Sequence, residues 1–262
     1  MSDKIEQVVT VERASEHVVL VTLQRPDARN AINAAVTARM RDIVRETEAD
    51  PSIWAVVLTG AGGKAFCAGA DLKEVSEGGI AGLIDPDAGF ASFVHASRSK
   101  LWIAAVNGFA MAGGCEISLA CDMIVASHDA QFALPEVKRG LIAAAGGLFR
   151  LPRRIPRAIA FEMIATGDPI TAERALALGL VNCVVAKDDT VTAALALAEK
   201  VCQNAPIAVR ESLGVARRAI DDTEEALDSL SNAAQDRVML TADFAEGPKA
   251  FVEKRQPNWV GR

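Results

Sequence analysis

The chain has 262 residues, of which half are hydrophobic, and its 34 acidic and 28 basic residues give a net charge of −6. This length is enough for one large domain with a sizeable core, and the mixed charges leave no basic face for nucleic acid. The N-terminal residues contain no apolar stretch typical of a secretory signal. We therefore expect a globular cytoplasmic protein that binds neither nucleic acid nor membrane.

The first half of the chain alternates predicted strands and helices. Alternating apolar residues predict strands, and apolar residues at helical spacing predict helices. The predicted elements are two short strands in 8–23, a helix over 31–49, a buried strand over 54–59, a strand over 101–106, a helix over 113–121 and a strand over 122–126. Between them, residues 76–92 are rich in Gly, Ser, Asp and Pro, which indicates a loop or a short irregular helix.

The second half of the chain has mostly helical patterns. Helices are predicted over 157–166, 171–178, 189–203, 206–219, 222–243 and 246–255. Strands alternating with helices, followed by helices alone, predict an α/β core with a helical C-terminal layer. We place the core at residues 1–200 and the C-terminal helical region at residues 201–262.

The cysteine and histidine patterns carry no metal or disulfide signature. The five cysteines are Cys67, Cys115, Cys121, Cys183 and Cys202. Their number is odd, they form no CxxC pair and most lie among apolar residues, as is typical of free thiols in a reducing compartment. The three histidines lack metal-ligand spacing, and neither GxSxG nor HExxH occurs. We expect neither a bound metal nor a redox cofactor.

The segment from Asn107 to Glu116 is the strongest candidate for a reactive site. A strand ends, glycines follow and a helix begins near Gly113, where free N–H groups and a positive dipole end can stabilise an oxyanion. Glu116 could have a structural role only, since a negative charge in the first turn of a helix is stabilised by the helix dipole. Its neighbours are apolar, however, and because burying a carboxylate is costly we favour a functional role.

Other segments are weaker when taken alone. The small residues of Phe66–Leu72 would let backbone N–H groups approach a ligand, or would form a tight turn on the core. Glu136 follows Pro135 in what could be a surface turn. Gly140–Arg150 carries no obvious reactive group. We interpret the arginine cluster at 150–157 as a solvated turn or a subunit contact rather than a phosphate groove.

Taken in order, these segments resemble the crotonase superfamily, the enoyl-CoA hydratases and isomerases, over residues 8–262. The motifs that carry the resemblance are Arg25-Pro26, Asn30–Asn33, Ala65–Leu72, Ala104–Gly108, Gly113–Glu116, Leu134–Val137, Gly179–Asn182 and Phe251–Arg255. The resemblance implies an α/β fold, a crotonase-like spiral of ββα units with a helical C-terminal region. That region would contribute to trimerisation and cover the active site, in homotrimers often paired into hexamers.

The resemblance also implies a site for an acyl-CoA thioester. The N–H groups of Ala68 and Gly113 would form an oxyanion hole for the thioester carbonyl. Members that hydrate enoyl-CoA carry glutamates matching both Glu116 and Glu136, whereas isomerases usually keep only the second. This implies reversible addition of water across C2–C3, with Glu116 activating water and Glu136 donating a proton to C2.

Contacts to coenzyme A follow from the same resemblance. The implied residues are Ala28, Asn30, Ala70, Asp71, Leu72, Gly114, Pro135 and Lys254. Lys254 would reach the CoA phosphates, from the same subunit or a neighbouring one. No cofactor is implied beyond the coenzyme A of the substrate.

Two departures from the family pattern concern the substrate. Asp27 stands where many hydratases have lysine. Ala143–Phe149 replaces the usual Pro-Gly-Ala-Gly-Gly-Thr-Gln run, and Gly147-Leu148 followed by Arg150-Leu151-Pro152 is similar to carnitinyl-CoA dehydratase-like members. A dehydratase or isomerase for another acyl-CoA is therefore a second interpretation. A non-catalytic acyl-CoA-binding protein is a third, against which the paired glutamates argue.

Overall fold

The computed structural model describes residues 8–262. The strands are β1 (Val9–Arg13), β2 (Val18–Leu23), β3 (Ala55–Gly60), β4 (Ala65–Cys67), β5 (Ile84–Asp85), β6 (Gly89–Phe90), β7 (Leu101–Val106), β8 (Phe109–Met111), β9 (Met123–Ser127), β10 (Gln131–Ala133), β11 (Ile170–Thr171) and β12 (Cys183–Val185). The helices are α1 (Ala34–Ala49), α2 (Leu72–Ser76), α3 (Gly113–Ala120), α4 (Gly147–Arg154), α5 (Arg157–Thr166), α6 (Ala172–Ala177), α7 (Thr190–Cys202), α8 (Pro206–Ala216), α9 (Glu224–Met239) and α10 (Ala242–Glu253). Short 3₁₀ turns lie at Pro26–Ala28, Gly79–Leu83, Pro135–Arg139 and Lys187–Asp189.

Two sheets organise the core. The larger has the order β1-β2-β3-β7-β9-β12, and the smaller has the order β11-β10-β8-β4. From β2 to β12 the large sheet is parallel, and β4, β8 and β10 are also parallel to one another. Each of β3, β7 and β9 is followed by a short strand of the smaller sheet, and the first two pairs lead into α2 and α3. These repeated ββα steps confirm the predicted spiral fold.

The large sheet is buried on both faces, as its apolar runs predict. All six residues of β3 and all six of β7 are buried. Val56 and Leu58 belong to the apolar cluster that includes α1, whereas Ala55 and Val57 belong to the cluster that includes α7. Because successive side chains of a strand point to opposite faces, one apolar run supports both helical layers.

Several predicted boundaries differ from the structure for local reasons. The helix predicted from residue 31 begins at Ala34, because the Asn33 side chain accepts a hydrogen bond from the Val36 N–H and caps it. Similarly, the Thr241 side chain accepts from the Phe244 N–H, so α10 begins at Ala242 rather than at residue 246. The short strands β4, β8 and β10 and the helix α4 were not predicted.

The C-terminal helices end in a segment that folds back on them. Asp243 of α10 accepts hydrogen bonds from the N–H groups of Val260 and Gly261, at 2.8 and 2.9 Å. Trp259 donates from its ring to the carbonyl oxygen of Gln203. Among the helices of residues 8–262, none has the length and apolar character that crossing a membrane requires.

Candidate active site

The candidate site lies where the three parallel strands β4, β8 and β10 end. Cys67 of β4 is in register with Ala110 of β8, and Ala133 of β10 is in register with Met111. Because parallel neighbours end at the same edge of a sheet, the residues that follow each strand are brought together there. Those residues include the three segments that the sequence singles out.

Glycine is required where the first two segments meet. Gly69 has a φ of +93°, and a Cβ atom on it would lie 3.0 Å from the Gly113 nitrogen. A Cβ atom on Gly114 would lie 2.0 Å from the Cys67 carbonyl oxygen. Because neither glycine has a side chain, the backbone after β4 can approach the N-terminus of α3 closely. Gly114 is buried in this contact, which explains why a glycine is needed at this position without the predicted contact to coenzyme A.

The structure corrects one predicted oxyanion-hole donor. The Ala68 N–H donates to the Arg29 carbonyl oxygen at 3.0 Å, so it is not available to a substrate. Ala70 lies opposite Ile32 in a parallel bridge, in which the bonds to Ile32 are made by Gly69 and Asp71. The N–H of Ala70 therefore faces away from Ile32, and within residues 8–262 it has no hydrogen-bond acceptor.

Gly113 supplies the second free backbone donor. It is the first residue of α3, and the first N–H groups of a helix have no acceptor within the helix. Because Gly69 has no side chain, the backbone segments that carry the two free donors, on Ala70 and Gly113, can lie next to each other. The N-terminal end of α3 adds the positive end of a helix dipole. This arrangement can stabilise negative charge on a carbonyl oxygen.

Glu116 is a buried carboxyl at the start of α3. The residue is 3% exposed, and its Oε1 accepts a hydrogen bond of 2.9 Å from the Gly147 N–H. The pKa of Glu116 is raised from its ordinary 4.5 to about 7, mainly by burial and also by the charge of Glu136, while the hydrogen bond from the Gly147 N–H lowers it. The carboxyl can therefore accept or donate a proton near neutral pH.

Glu136 lies in the 3₁₀ turn that Pro135 opens after β10. Its Oε2 is buried and, within residues 8–262, has no hydrogen-bond partner. Burial raises the pKa of Glu136 above its ordinary value, although the charge of Arg139 opposes this effect. A buried, unpartnered carboxyl oxygen next to a second carboxyl is suited to bind or transfer a proton of a ligand.

Gly147 and Arg150 are site residues that the sequence analysis did not identify. The Gly147 N–H stands at the N-terminus of α4 and holds Glu116. Arg150 donates to the carbonyl oxygens of Ala145 and Val94, so it ties the loop before α4 to a second loop. Its charge also lowers the pKa of Glu116. The Gly146-Gly147 pair before a helix was the available signal.

Two of the predicted coenzyme A contacts have internal partners. The Asn30 side chain is 1% exposed and donates to the carbonyl oxygens of Ala61 and Ala65, so it positions the loop and cannot reach a ligand. Asp71 pairs with Arg25 at 2.8 Å and caps α2, and the Arg25 hydrogen bond lowers the pKa of Asp71. The prediction for Asn30 is therefore wrong.

The remaining predicted contacts differ in accessibility. Ala28, Ala70 and Pro135 are partly exposed, and Leu72 is exposed. Lys254 is exposed at the C-terminal end of α10, in the left-handed conformation. Ala70 and Leu72 flank Asp71 beside the free backbone donors.

Comparison with known proteins agrees with this geometry. The sequence model of the family described as enoyl-CoA hydratase/isomerase matches residues 13–262. The chain belongs to this family. Carnitinyl-CoA dehydratase of Proteus mirabilis (strain HI4320) is 39% identical over 255 residues, covering 94% of this chain and 95% of that protein. The predicted resemblance is thus confirmed.

Solved structures of similar proteins include an enoyl-CoA hydratase and a carnitinyl-CoA hydratase. An enoyl-CoA hydratase from Mycobacterium tuberculosis H37Rv is 41% identical with a TM-score of 0.93, covering 98% of this chain and 100% of that one. A carnitinyl-CoA hydratase from Mycobacterium avium is 47% identical with a TM-score of 0.77, covering 98% and 99%. Membership of the enoyl-CoA hydratase/isomerase family therefore extends over the fold as well as the sequence.

Proposed function

We propose that this chain is a hydro-lyase that adds water reversibly across C2–C3 of a 2-enoyl-CoA thioester. The observation that carries the proposal is the pair of carboxyl groups with raised pKa values, Glu116 and Glu136, at the strand ends where two backbone N–H groups are free. Family membership supports the acyl-CoA substrate class.

The oxyanion hole of this proposal is formed by the N–H groups of Ala70 and Gly113. Attack of water at C3 moves the π electrons of the double bond toward the thioester carbonyl, and negative charge develops on its oxygen. Two fixed N–H donors stabilise that charge without reorganisation, and losing one such donor typically costs about 10²–10³ in rate. Ala70 thereby replaces the predicted Ala68.

The two glutamates move the protons of the reaction. Glu116 in its ionised form takes a proton from water as the oxygen bonds to C3, and Glu136 in its protonated form gives a proton to C2. Dehydration uses the same groups with the opposite protonation states. The pair therefore needs one proton between them, which the pKa of about 7 for Glu116 supports near neutral pH.

The role of each glutamate can be separated with a saturated acyl-CoA. Such a substrate has no group to eliminate, so exchange of its C2 hydrogen with deuterated solvent needs Glu136 and the oxyanion hole only. We expect Glu116→Gln to retain exchange and Glu136→Gln to lose it. The opposite pattern would reverse the assignment.

The further proposals concern binding and assembly. Coenzyme A would run along the Pro26–Ala28 turn and the exposed Leu72, with Lys254 near its phosphates, and water addition requires no metal or redox group. We propose a cytoplasmic homotrimer or hexamer in which residues 201–262 form subunit contacts and cover the site. The exposed apolar side chains Leu240, Phe251 and Val252 of the C-terminal helices support that assembly.

A second candidate is dehydration of a carnitinyl-CoA-type 3-hydroxyacyl thioester. The names of the relatives favour it, and so does the Ala143–Phe149 run that departs from the common hydratase pattern. The same two carboxyl groups would serve, since dehydration is the reverse chemistry. A non-catalytic acyl-CoA-binding protein would gain nothing from two buried acids, each of which costs stability.

A substrate panel tests these alternatives directly. Enoyl-CoA thioesters of increasing chain length and carnitinyl-CoA are assayed for hydration and dehydration with the wild-type chain. Turnover of straight-chain enoyl-CoA supports the proposed hydratase, and turnover confined to carnitinyl-CoA supports the second candidate. Tight binding of every thioester with no turnover would leave only the binding protein.

A further inference from the structure

A groove of about 490 Å³ lies between residues 94–98, α3, α4 and the segment after α8. Its charged lining is strongly cationic. Five arginines line it, Arg98, Arg150, Arg153, Arg154 and Arg217, against two carboxylates, Asp122 and Asp221. This concentration of guanidinium groups is not explained by the proposed hydration reaction.

The two carboxylates are already engaged. Asp122 pairs with Arg217 at 2.8 Å, and Asp221 pairs with Arg153 at 2.7 Å. The remaining three guanidinium groups donate to backbone carbonyl oxygens, and within the part of the chain that the structure describes none of them is hydrogen-bonded to a carboxylate. The groove therefore carries an excess of positive charge.

Two of these arginines also have a structural role. Arg98 donates to the Ala120 carbonyl oxygen at 2.7 Å, and Arg154 donates to that of Cys121 at 2.5 Å, so both stabilise the C-terminal end of α3. A guanidinium group has five N–H donors, however, and these contacts use only one or two on each. Arg98 and Arg154 are also only partly exposed, and an unneutralised charge away from water is costly.

An anion in this groove would also lie against apolar walls. Leu119, Phe149 and Ile220 line the groove, and the Phe149 ring lies 5.0 Å from the Arg150 guanidinium. We propose that the groove is a binding site for a small polyanion, whose phosphoryl or carboxylate groups bond to Arg98 and Arg154 and displace Asp221 from Arg153. The sequence interpretation of the arginine cluster was a solvated turn or a subunit contact; Arg153 and Arg157 are exposed, whereas Arg150 and Arg154 are only partly exposed.

Calorimetric titration of the full chain with pyrophosphate and with citrate, at constant ionic strength, tests the proposal. We expect saturable binding with a Kd below about 1 mM for at least one of them. Arg153→Gln should weaken that binding about tenfold, as expected for a lost charged hydrogen bond. Asp221→Asn should strengthen it, because it removes a competing carboxylate. Both residues are well exposed, so both variants should fold.

Arg157→Gln is the matched control, since Arg157 is an exposed arginine of α5 outside the groove. Equal weakening by Arg157→Gln would indicate unspecific attraction and overturn the proposal. So would a lack of saturation with both anions up to about 10 mM. A changed sedimentation coefficient of Arg153→Gln would instead assign the groove to a subunit contact. None of these outcomes depends on turnover of a thioester.

Discussion

Replacing Glu116 with glutamine should make the protein more stable at alkaline pH. Glutamine keeps an oxygen that can accept the Gly147 hydrogen bond, but it cannot ionise. The pKa of Glu116 is raised from 4.5 to about 7 mainly by burial, so ionising it in the folded protein is costly. With each pKa unit worth about 1.4 kcal/mol, this cost is about 3 kcal/mol.

The pH dependence of that cost has a definite sign. Below pH 4.5 the carboxyl is protonated in both folded and unfolded chains, and its ionisation costs nothing. As pH rises to about 7 the unfolded chain loses this proton first, so wild-type stability falls relative to the variant. Above that range the difference of about 3 kcal/mol is complete.

The assay is urea-induced unfolding of wild type and Glu116→Gln across this pH range, at one protein concentration because assembly would affect the midpoint. Any loss of packing in the variant is constant with pH and does not enter the comparison. Glu225→Gln, at an exposed position of α9, is the control and should show no such trend. A stability difference that is flat with pH, or that grows toward acid, would refute the reasoning.

Three further predictions concern catalysis. The active form holds one proton between the two glutamates, so a pH–rate profile of kcat/KM should be bell-shaped, with one limb near the pKa of Glu116, which is about 7. A backbone ester at position 70, which replaces the Ala70 N–H by oxygen, should lower kcat about 10²–10³-fold. An ester at position 68 should leave kcat nearly unchanged and reduce the free energy of unfolding by about 1 kcal/mol. Equal kcat values for the two esters would contradict the assignment of Ala70 as the donor. Arg150→Gln should raise the pKa of Glu116 and move the limb near pH 7 to higher pH, and an unmoved limb would limit Arg150 to a structural role.

The sequence predicted the parts of the site that depend on local pattern. Glu116 follows a glycine turn and lies among apolar residues, so its burial could be predicted from its own segment. The small residues after β4 likewise indicated a backbone that a ligand can approach. Glu136 needed the ordered set of family motifs, because its own segment is equally typical of a surface turn.

The parts that the sequence missed depend on partners distant along the chain. Ala68 and Ala70 are indistinguishable by pattern, and only pairing with Arg29 and Ile32 decides which N–H is free. The Gly147 N–H reaches Glu116 from a different ββα turn. Short strands such as β4 contain too few residues for an alternating pattern, so the smaller sheet could not be predicted element by element.

The most direct test of the central claim is the hydration rate of the best enoyl-CoA substrate with wild type, Glu116→Gln and Glu136→Gln, followed by loss of the enoyl thioester absorbance. Both carboxyl groups transfer protons in the proposed reaction, so each variant should be slower by about 10²–10⁴ with little change in substrate binding. Glu225→Gln should match the wild type. Wild-type rates in both single variants would contradict the account.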